Sequence, residues 1–345
     1  MSTPRLSICI ATFKRASFIA ETLNSIVGQL SPDVELLVVD GASPDSTEQV
    51  MREYVSRNTQ VRYFREPVNS GVDRDYDRAV GYAQGEYCWL MTDDDLLLPG
   101  AVDRVLQELD RSADFVFVNA EVRTKDLSRI LNSPLAKITA NRKYSEGDGT
   151  KVFEDLGFAL SFIGCVVIRR SFWQARDRAA YFGSLFIHVG VLFQAPPVQQ
   201  AVAIAAPLIR IRYGNAMWAP RAFEIWMIKW PGLIWSFTGF PEASLNRVSR
   251  KDPWRNPKHL ALLRALGAYT LAEYRRQLSS RADGLSRHVA FAIAALPAGF
   301  WNGLFSIVCA TVHRGARTAM YDLLRSTHSS WLTRCCARTL RLADE

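Results

Sequence analysis

The chain has 345 residues, 48% of them hydrophobic and 22% charged, which is long enough for one large folded domain plus a smaller appendage. The formal charge of +8 is split: residues 1–110 carry net −8 and residues 111–345 net +16, so an anionic surface or ligand is expected to meet the rear half. No nucleic-acid-binding motif is present, and the six cysteines have neither metal-ligand spacing nor the density of a secreted disulfide scaffold.

Taken in order, Leu6–Ala11 is an apolar run that reads as a strand, followed by Thr12-Phe-Lys-Arg15 and a helical pattern from Phe18 to Gln29. Val34–Asp40 is a second strand, ending in Asp40-Gly-Ala-Ser43 before a helix from about Asp45. Val61–Arg65 is a third, followed by Asn69-Ser-Gly71 and a helix through about Ala83. Glu86–Thr92 is a fourth, with a helix expected over Pro99–Asp110. Strand and helix alternate four times, the pattern of a doubly wound, mainly parallel α/β sheet whose ligands bind beyond the carboxyl ends of the strands. The first residues lead straight into a strand rather than into a signal-type apolar run, so a cytosolic orientation is expected.

The fourth strand ends in Thr92-Asp93-Asp94-Asp95. Adjacent carboxylates about 5 Å apart repel by roughly 3 kcal/mol per pair at an effective dielectric near 20. A cation is therefore expected beside them, and oxygen-only ligands suit Mg²⁺ or Mn²⁺; a solvated acidic turn is the alternative. No Gly-x-Gly-x-x-Gly or P-loop follows the first strand, so a metal rather than a glycine cradle is left to neutralise a diphosphate.

Ser7-Ile-Cys-Ile-Ala-Thr12-Phe, Leu37-Val-Val-Asp40-Gly-Ala-Ser43, Gly85-Glu-Tyr-Cys-Trp-Leu and Asp93-Asp-Asp95 with Leu-Pro-Gly100 resemble family 2 glycosyltransferases of the GT-A fold. Gly71-Val-Asp-Arg-Asp75-Tyr76 and Gly214-Asn-Ala-Met-Trp218 narrow the resemblance to the bacterial O-antigen branch typified by abequosyltransferases. It covers residues 5–218. It implies a metal-dependent, inverting hexosyl or deoxyhexosyl transferase. The donor would be a nucleotide diphosphate sugar and the acceptor a polyprenyl-diphosphate-linked glycan, in O-antigen (lipopolysaccharide) or related surface-glycan synthesis. The alternatives are a polyprenyl-phosphate glycosyltransferase and a non-catalytic nucleotide-sugar-binding scaffold.

By the match, Asp93 and Asp95 resemble the family's Asp-x-Asp pair. Asp95 is the first choice for the metal, Asp93 for metal or donor ribose, and Asp94 between them is expected to point away by strand alternation. Asp40 resembles the base- or ribose-binding acid, with a helix N-cap as the alternative; Thr12 and Ser43 line the nucleoside pocket, and Asp75 and Tyr76 belong to the donor site. Arg212 is expected on a diphosphate or acceptor phosphate, or in a surface salt bridge. His188, in Tyr181-Phe-Gly-Ser-Leu-Phe-Ile187-His188, stands near the place where the family's catalytic Glu-Asp pair is usual. With a side-chain pKa near 6.5 it is expected as general base or metal ligand, or as an inert core histidine. Glu146 and Asp148 are the alternative bases.

Residues 1–216 are expected to form the catalytic domain, in a nucleotide-sugar half (1–110) and an acceptor half (111–216); residues 217–345 are expected to be helical and membrane-associating. Trp218, Trp226, Trp230 and Trp235 suit the headgroup layer of an anionic membrane, a helical subdomain being the alternative. Val289–Val312 has no formal charge but is broken by Pro297-Ala-Gly299 and contains Asn302. Arg275, Arg276, Arg281 and Arg287 precede it, and Arg314, Arg317 and Arg325 follow. Basic flanks on both sides favour a monotopic attachment to the cytoplasmic face of the bacterial inner membrane over a span. Asp252-Pro-Trp-Arg-Asn-Pro257 reads as a hinge.

Overall fold

Continuous apolar runs produce strands buried on both faces, the condition for a parallel sheet under helices. In the computed structural model, which describes residues 3–109, 113–312 and 316–343, β1 (Leu6–Thr12), β2 (Val34–Asp40) and β4 (Tyr87–Met91) are buried along their whole length. With β3 (Val61–Arg65) they form a parallel set in the order β3-β2-β1-β4. The helices between them are α1 (Ile19–Val27), α2 (Thr47–Arg57) and α3 (Val72–Tyr82). Register sets the strand ends level: Thr12 lies opposite Asp40, and Ile10 opposite Met91, the last residue before the acidic turn.

Beyond β4 the sheet changes character. After β5 (Leu96–Leu97) and α4 (Ala101–Glu108) come β6 (Phe115–Arg123), the short β7 (Ile130–Asn132) and β8 (Arg142–Tyr144), α5 (Gly149–Leu156), β9 (Val166–Arg169), α6 (Arg170–Gln174), α7 (Ile187–Phe193) and β10 (Ala201–Arg212). β9 runs antiparallel to both β4 and β6, and β5 antiparallel to β10. The sheet is thus parallel in its first four strands and antiparallel in these later pairs. The helix read over Pro99–Asp110 starts only at Ala101, because Gly100 takes a left-handed conformation (φ +78°) at its N-cap; Asp110 lies outside the described residues.

The chain divides into two compact units. One comprises residues 1–122, 133–212 and 236–248 and contains the parallel strands. The other comprises residues 123–132, 213–235 and 249–345 and is mainly helical. Its helices are α8 (Ala222–Glu224), running through a π-helical turn into α9 (Trp230–Ile234), then α11 (Pro257–Ala265), α12 (Leu271–Glu273), α13 (Gly284–Ala295), α14 (Ala298–Thr311), α15 (Arg317–Arg325) and α16 (Trp331–Thr339); α10 (Glu242–Val248) belongs to the first unit.

The helical unit has its own core, built from Phe223, Met227, Trp254, Leu260, Tyr269 and Leu278 among others. Of the tryptophans that composition placed at a membrane surface, Trp230 is 2% exposed, Trp226 packs partly buried against this core and Trp235 is half-buried, while Trp218 is exposed. The segment read as a hinge is a packed corner, with Trp254 buried and Asn256 accepting the Lys258 N–H at 3.0 Å to start α11. The uncharged stretch breaks at Leu296-Pro297 into α13 and α14, bent by 97°. Among the described residues no single helix is long and apolar enough to cross a membrane. Arg314 lies outside the described residues.

Candidate active site

Because the strand ends are level, the polar residues following them converge. Asp40 is fully buried; its Oδ1 accepts the Ser43 N–H at 2.8 Å and its Oδ2 the Tyr63 hydroxyl at 2.6 Å. It therefore holds the loop after β2 and does not cap α2, whose N-cap is Ser46. Ser43 is buried and its hydroxyl accepts the Lys14 N–H at 2.9 Å, tying the loop after β1 to the loop after β2. A Cβ at Gly41 would come within 2.7 Å of Asp75 Oδ2, so any larger residue there would have to displace that carboxyl. This close approach brings Asp75, in the first turn of α3, beside the Asp40 loop. Asp75 also meets the Ser70 hydroxyl at 3.2 Å and Arg78 at 3.7 Å, and burial pushes its carboxyl up to about 6.

The acidic residues occupy a turn, not a strand, and this overturns the expectation that Asp94 points away from Asp93. Arg15 reaches both, at 3.3 Å to Asp93 and 3.5 Å to Asp94, while its guanidinium lies over the Phe18 ring. Arg15 is the positive group that three adjacent carboxylates called for. It escaped the site assignment because it lies 78 positions before Asp93; the one sequence signal was its place directly after the first strand. Thr12, at the end of β1, is buried, and its hydroxyl has no hydrogen-bond partner among the described residues. Burial, and then the charge of Asp94, raise both Asp93 and Asp95 above the usual carboxylate range.

Asp95 is 2% exposed and is held by two neutral donors, the Thr92 hydroxyl and the Arg212 N–H, the latter at 2.6 Å. The pairing of β5 with β10 places Arg212 there. The Arg212 side chain donates to the Asp94 carbonyl at 2.9 Å, pairs with Glu21 and lies over Phe18. It thus braces the acidic turn from a buried position, while its ion-pair partner Glu21 is exposed. Tyr76 is buried and its hydroxyl donates to the Met91 carbonyl at 3.0 Å, supporting the turn from beneath instead of lining an open donor pocket.

His188 requires correction. It sits in α7, 1% exposed, with Nε2 at 2.7 Å from the Leu160 carbonyl, which must accept a proton from it. Nδ1 is buried with no hydrogen-bond partner, and burial lowers the imidazole from 6.5 to about 4. Among the described residues no three His, Cys, Asp or Glu side chains converge as a metal set, so His188 is not brought together with Asp93 and Asp95. The bland alternative, a core histidine, is what the geometry supports. Glu146 is exposed, and Asp148 accepts the Ser145 N–H at 2.9 Å in the turn opening α5. A residue that sequence reasoning missed is Asp73. Its buried carboxylate accepts the N–H groups of Gly183 (2.8 Å), Leu185 (2.9 Å) and Ile187 (3.2 Å) and so fixes the loop that delivers α7. Nothing local marks it, because its partners lie 110 to 114 positions away.

Asp93 and Asp95 fit a hard divalent cation by chemistry: two buried carboxylates whose charged forms are disfavoured as they stand, the number Mg²⁺ typically takes from protein when phosphate completes its shell.

Residues 7–174 match the model of glycosyl transferase family 2. The chain carries a family 2 glycosyl transferase domain. It is 27% identical to the abequosyltransferase RfbV of Salmonella typhimurium over 61% of this chain and 67% of that one. It is 29% identical to the GalNAc(5)-diNAcBac-PP-undecaprenol beta-1,3-glucosyltransferase of Campylobacter jejuni, but over only 34% of this chain and 38% of that one. Among solved structures, S. aureus TarS 1–349 in complex with UDP aligns with TM-score 0.56 at 14% identity, over 91% of this chain and 90% of that one. The Pyrobaculum calidifontis mannosyltransferase PcManGT, in complex with GDP-Man and Mn²⁺, aligns with TM-score 0.55 at 16% identity, over 94% and 86%. The domain has the GT-A fold, and the matching family's class of chemistry is glycosyl transfer.

Proposed function

We propose that the protein is an inverting glycosyltransferase that moves a sugar from a nucleoside diphosphate donor to a polyprenyl-diphosphate-linked oligosaccharide, in assembly of O-antigen or a related surface glycan. The observation that carries this reading is the buried acidic turn at the level carboxyl ends of β1, β2 and β4, where two carboxylates stand above their ordinary pKa range. The named relatives, an abequosyltransferase and a glucosyltransferase acting on a PP-undecaprenol substrate, support the acceptor class. Asp95 and Asp93 would hold Mg²⁺ or Mn²⁺, which when bound supplies Lewis-acid stabilisation of the departing nucleoside diphosphate. Asp40, Ser43, Asp75 and Thr12 would position the nucleoside and ribose. Arg15 and Arg212 keep the acidic turn in place.

Attachment to the cytoplasmic leaflet at one face, without a span, completes the proposal. Its support is an inverted helix. The inward face of α14 carries Asn302 and Ser306, both fully buried, whereas Phe300 is 59% exposed and Leu304 and Ile307 are each 43% exposed. Asn302 hydrogen-bonds the carbonyls of Ala265 and Leu323 and the Thr333 hydroxyl. Although Trp301 and Phe305 of the same helix pack on the core, a helix that exposes Phe300, Leu304 and Ile307 suits a lipid interface.

The test is a panel of nucleotide sugars incubated with membranes or a synthetic polyprenyl-diphosphate glycan, with EDTA and with Mg²⁺ or Mn²⁺ restored. Transfer is expected only with metal, and Asp95→Asn is expected to lower it by at least about a hundredfold while the protein stays folded, since the Asn oxygen can still accept the Arg212 N–H and its amide can donate to the Thr92 hydroxyl. Transfer that survives EDTA would sink the metal assignment.

A further inference from the structure

Asp95 depends on a backbone group that lies at the very end of a strand. It accepts the Arg212 N–H at 2.6 Å, and Arg212 is the last residue of β10. The chain passes from the first unit into the helical one at the next peptide bond, between Arg212 and Tyr213. There it is held at once. The Tyr213 hydroxyl donates to Asp322 Oδ2 at 2.9 Å, Arg325 Nη2 donates to the Gly214 carbonyl at 3.2 Å, and the Tyr213 N–H donates to the Arg123 carbonyl at 3.0 Å. Tyr321 completes the grip. Its hydroxyl accepts the Lys125 N–H at 3.0 Å, and a Cβ at Gly214 (φ +96°) would come within 3.1 Å of its ring and of Arg325 Nε. Three residues of α15 thus converge on the two residues that follow Arg212.

Burial pushes the Asp322 carboxyl up to about 6, against the Tyr213 hydroxyl and Arg325, which favour its charge. A carboxylate kept where burial disfavours it adds little to the stability of a helical unit, and glycosyl transfer makes no direct use of it. Burial pushes Tyr213 up as well, so its hydroxyl stays protonated and remains a donor at neutral pH. The effect of the pair is local: it fixes the chain one residue after the N–H that orients Asp95.

We propose that Tyr213 and Asp322 are positioning residues for Asp95: by fixing the chain immediately after β10 they hold the Arg212 N–H in place, and with it the carboxylate offered to a divalent cation. The assignment deepens the proposed function and rests on its metal reading.

The test compares Tyr213→Phe, Asp322→Asn and Tyr269→Phe in the full chain. Hydrogen exchange is followed in the peptide containing Arg212, Mn²⁺ binding by electron paramagnetic resonance, and stability by thermal unfolding. Tyr213→Phe removes one hydroxyl and is expected to speed exchange at Arg212 and to weaken Mn²⁺ binding at least about fivefold, near the scale on which outer support matters at metal sites. Asp322→Asn keeps an acceptor for the Tyr213 hydroxyl and is expected to stay within about twofold of wild type. Tyr269→Phe is the control for a merely structural role. It removes a hydroxyl that donates to the Ala290 carbonyl at 3.0 Å in the helical core, so it is expected to lower the unfolding temperature while Arg212 exchange and Mn²⁺ binding stay as in wild type. Mn²⁺ binding that Tyr213→Phe leaves unchanged, or equal losses in Tyr213→Phe and Tyr269→Phe, overturns the assignment. The metal reading fails separately, if the wild type binds no Mn²⁺. Exchange at Arg212 that quickens in Tyr213→Phe and not in Tyr269→Phe then upholds the positioning of Asp95 without it, and unchanged exchange overturns the positioning too.

Discussion

His188→Gln separates a buried structural histidine from a general base. Glutamine can still donate an N–H to the Leu160 carbonyl, but it does not titrate. In the folded protein burial holds the imidazole near 4, against 6.5 in its ordinary state. Between those values the unfolded chain binds a proton that the folded chain refuses, so this residue's contribution to stability is complete above about pH 6.5 and is lost as pH falls towards 4. From pH 7.5 to pH 4.5 the loss amounts to about 2.5 kcal/mol. Buried carboxyls with raised pKa values, Asp93 and Asp95 among them, act in the opposite sense and gain stability on acidification. Only the difference between wild type and variant isolates the histidine. Urea unfolding of both proteins across this range, followed by tryptophan fluorescence, is expected to show the wild type losing about 2.5 kcal/mol relative to His188→Gln, and the variant to retain transfer at pH 7.5. A stability difference independent of pH, or an imidazole that titrates near 6.5 in the folded protein by NMR, would refute the reasoning and restore His188 as a candidate base.

Asp73→Ala removes a charged acceptor from three backbone N–H groups and is expected to destabilise the first unit by about 3 kcal/mol or more. Amide exchange should quicken first at Gly183, Leu185 and Ile187, and uniform exchange there would exclude the clamp. Asp75, with its carboxyl pushed up to about 6 by burial, is charged only above that pH. If it accepts a donor hydroxyl, the donor KM should rise as pH falls through 6 in the wild type and stay flat in Asp75→Asn, which a steady-state pH series reads directly.

The first half of the fold was legible because β1, β2 and β4 are buried along their length and so written as mainly apolar runs; β2, and the less buried β3, begin and end at the residues read from sequence. The antiparallel half was not, because β6, β9 and β10 find their partners across long intervals with irregular turns between, and no local periodicity encodes that order. The placing of Thr12, Asp40 and Asp93 to Asp95 at or just beyond strand ends was readable. Residues defined by what they reach across the chain were misjudged or missed: Arg15, Asp73, the bracing role of Arg212 and the burial of His188. Composition was a partial guide at the tryptophans: Trp218 is exposed but Trp230 is buried, and an outward apolar surface belongs to α13 and α14, where Phe291 and Phe300 are exposed.

The distribution of charge within the acidic turn says which carboxylate most needs a cation. Arg15 lies against Asp93 and Asp94, and the guanidinium of Arg212 is directed to Glu21 and to the Asp94 carbonyl. Asp95 has no ion-pair partner among the described residues and receives only a hydroxyl and a backbone N–H. Neutral donors lower a carboxyl pKa less than an adjacent charge does, and here burial and Asp94 outweigh them, so Asp95 stands well above its ordinary value. Asp95 is thus the carboxyl of the turn whose charged form most needs an added cation. Its two donors also fix the carboxylate's orientation before any ligand arrives, so a metal there would meet a preset oxygen rather than a mobile one.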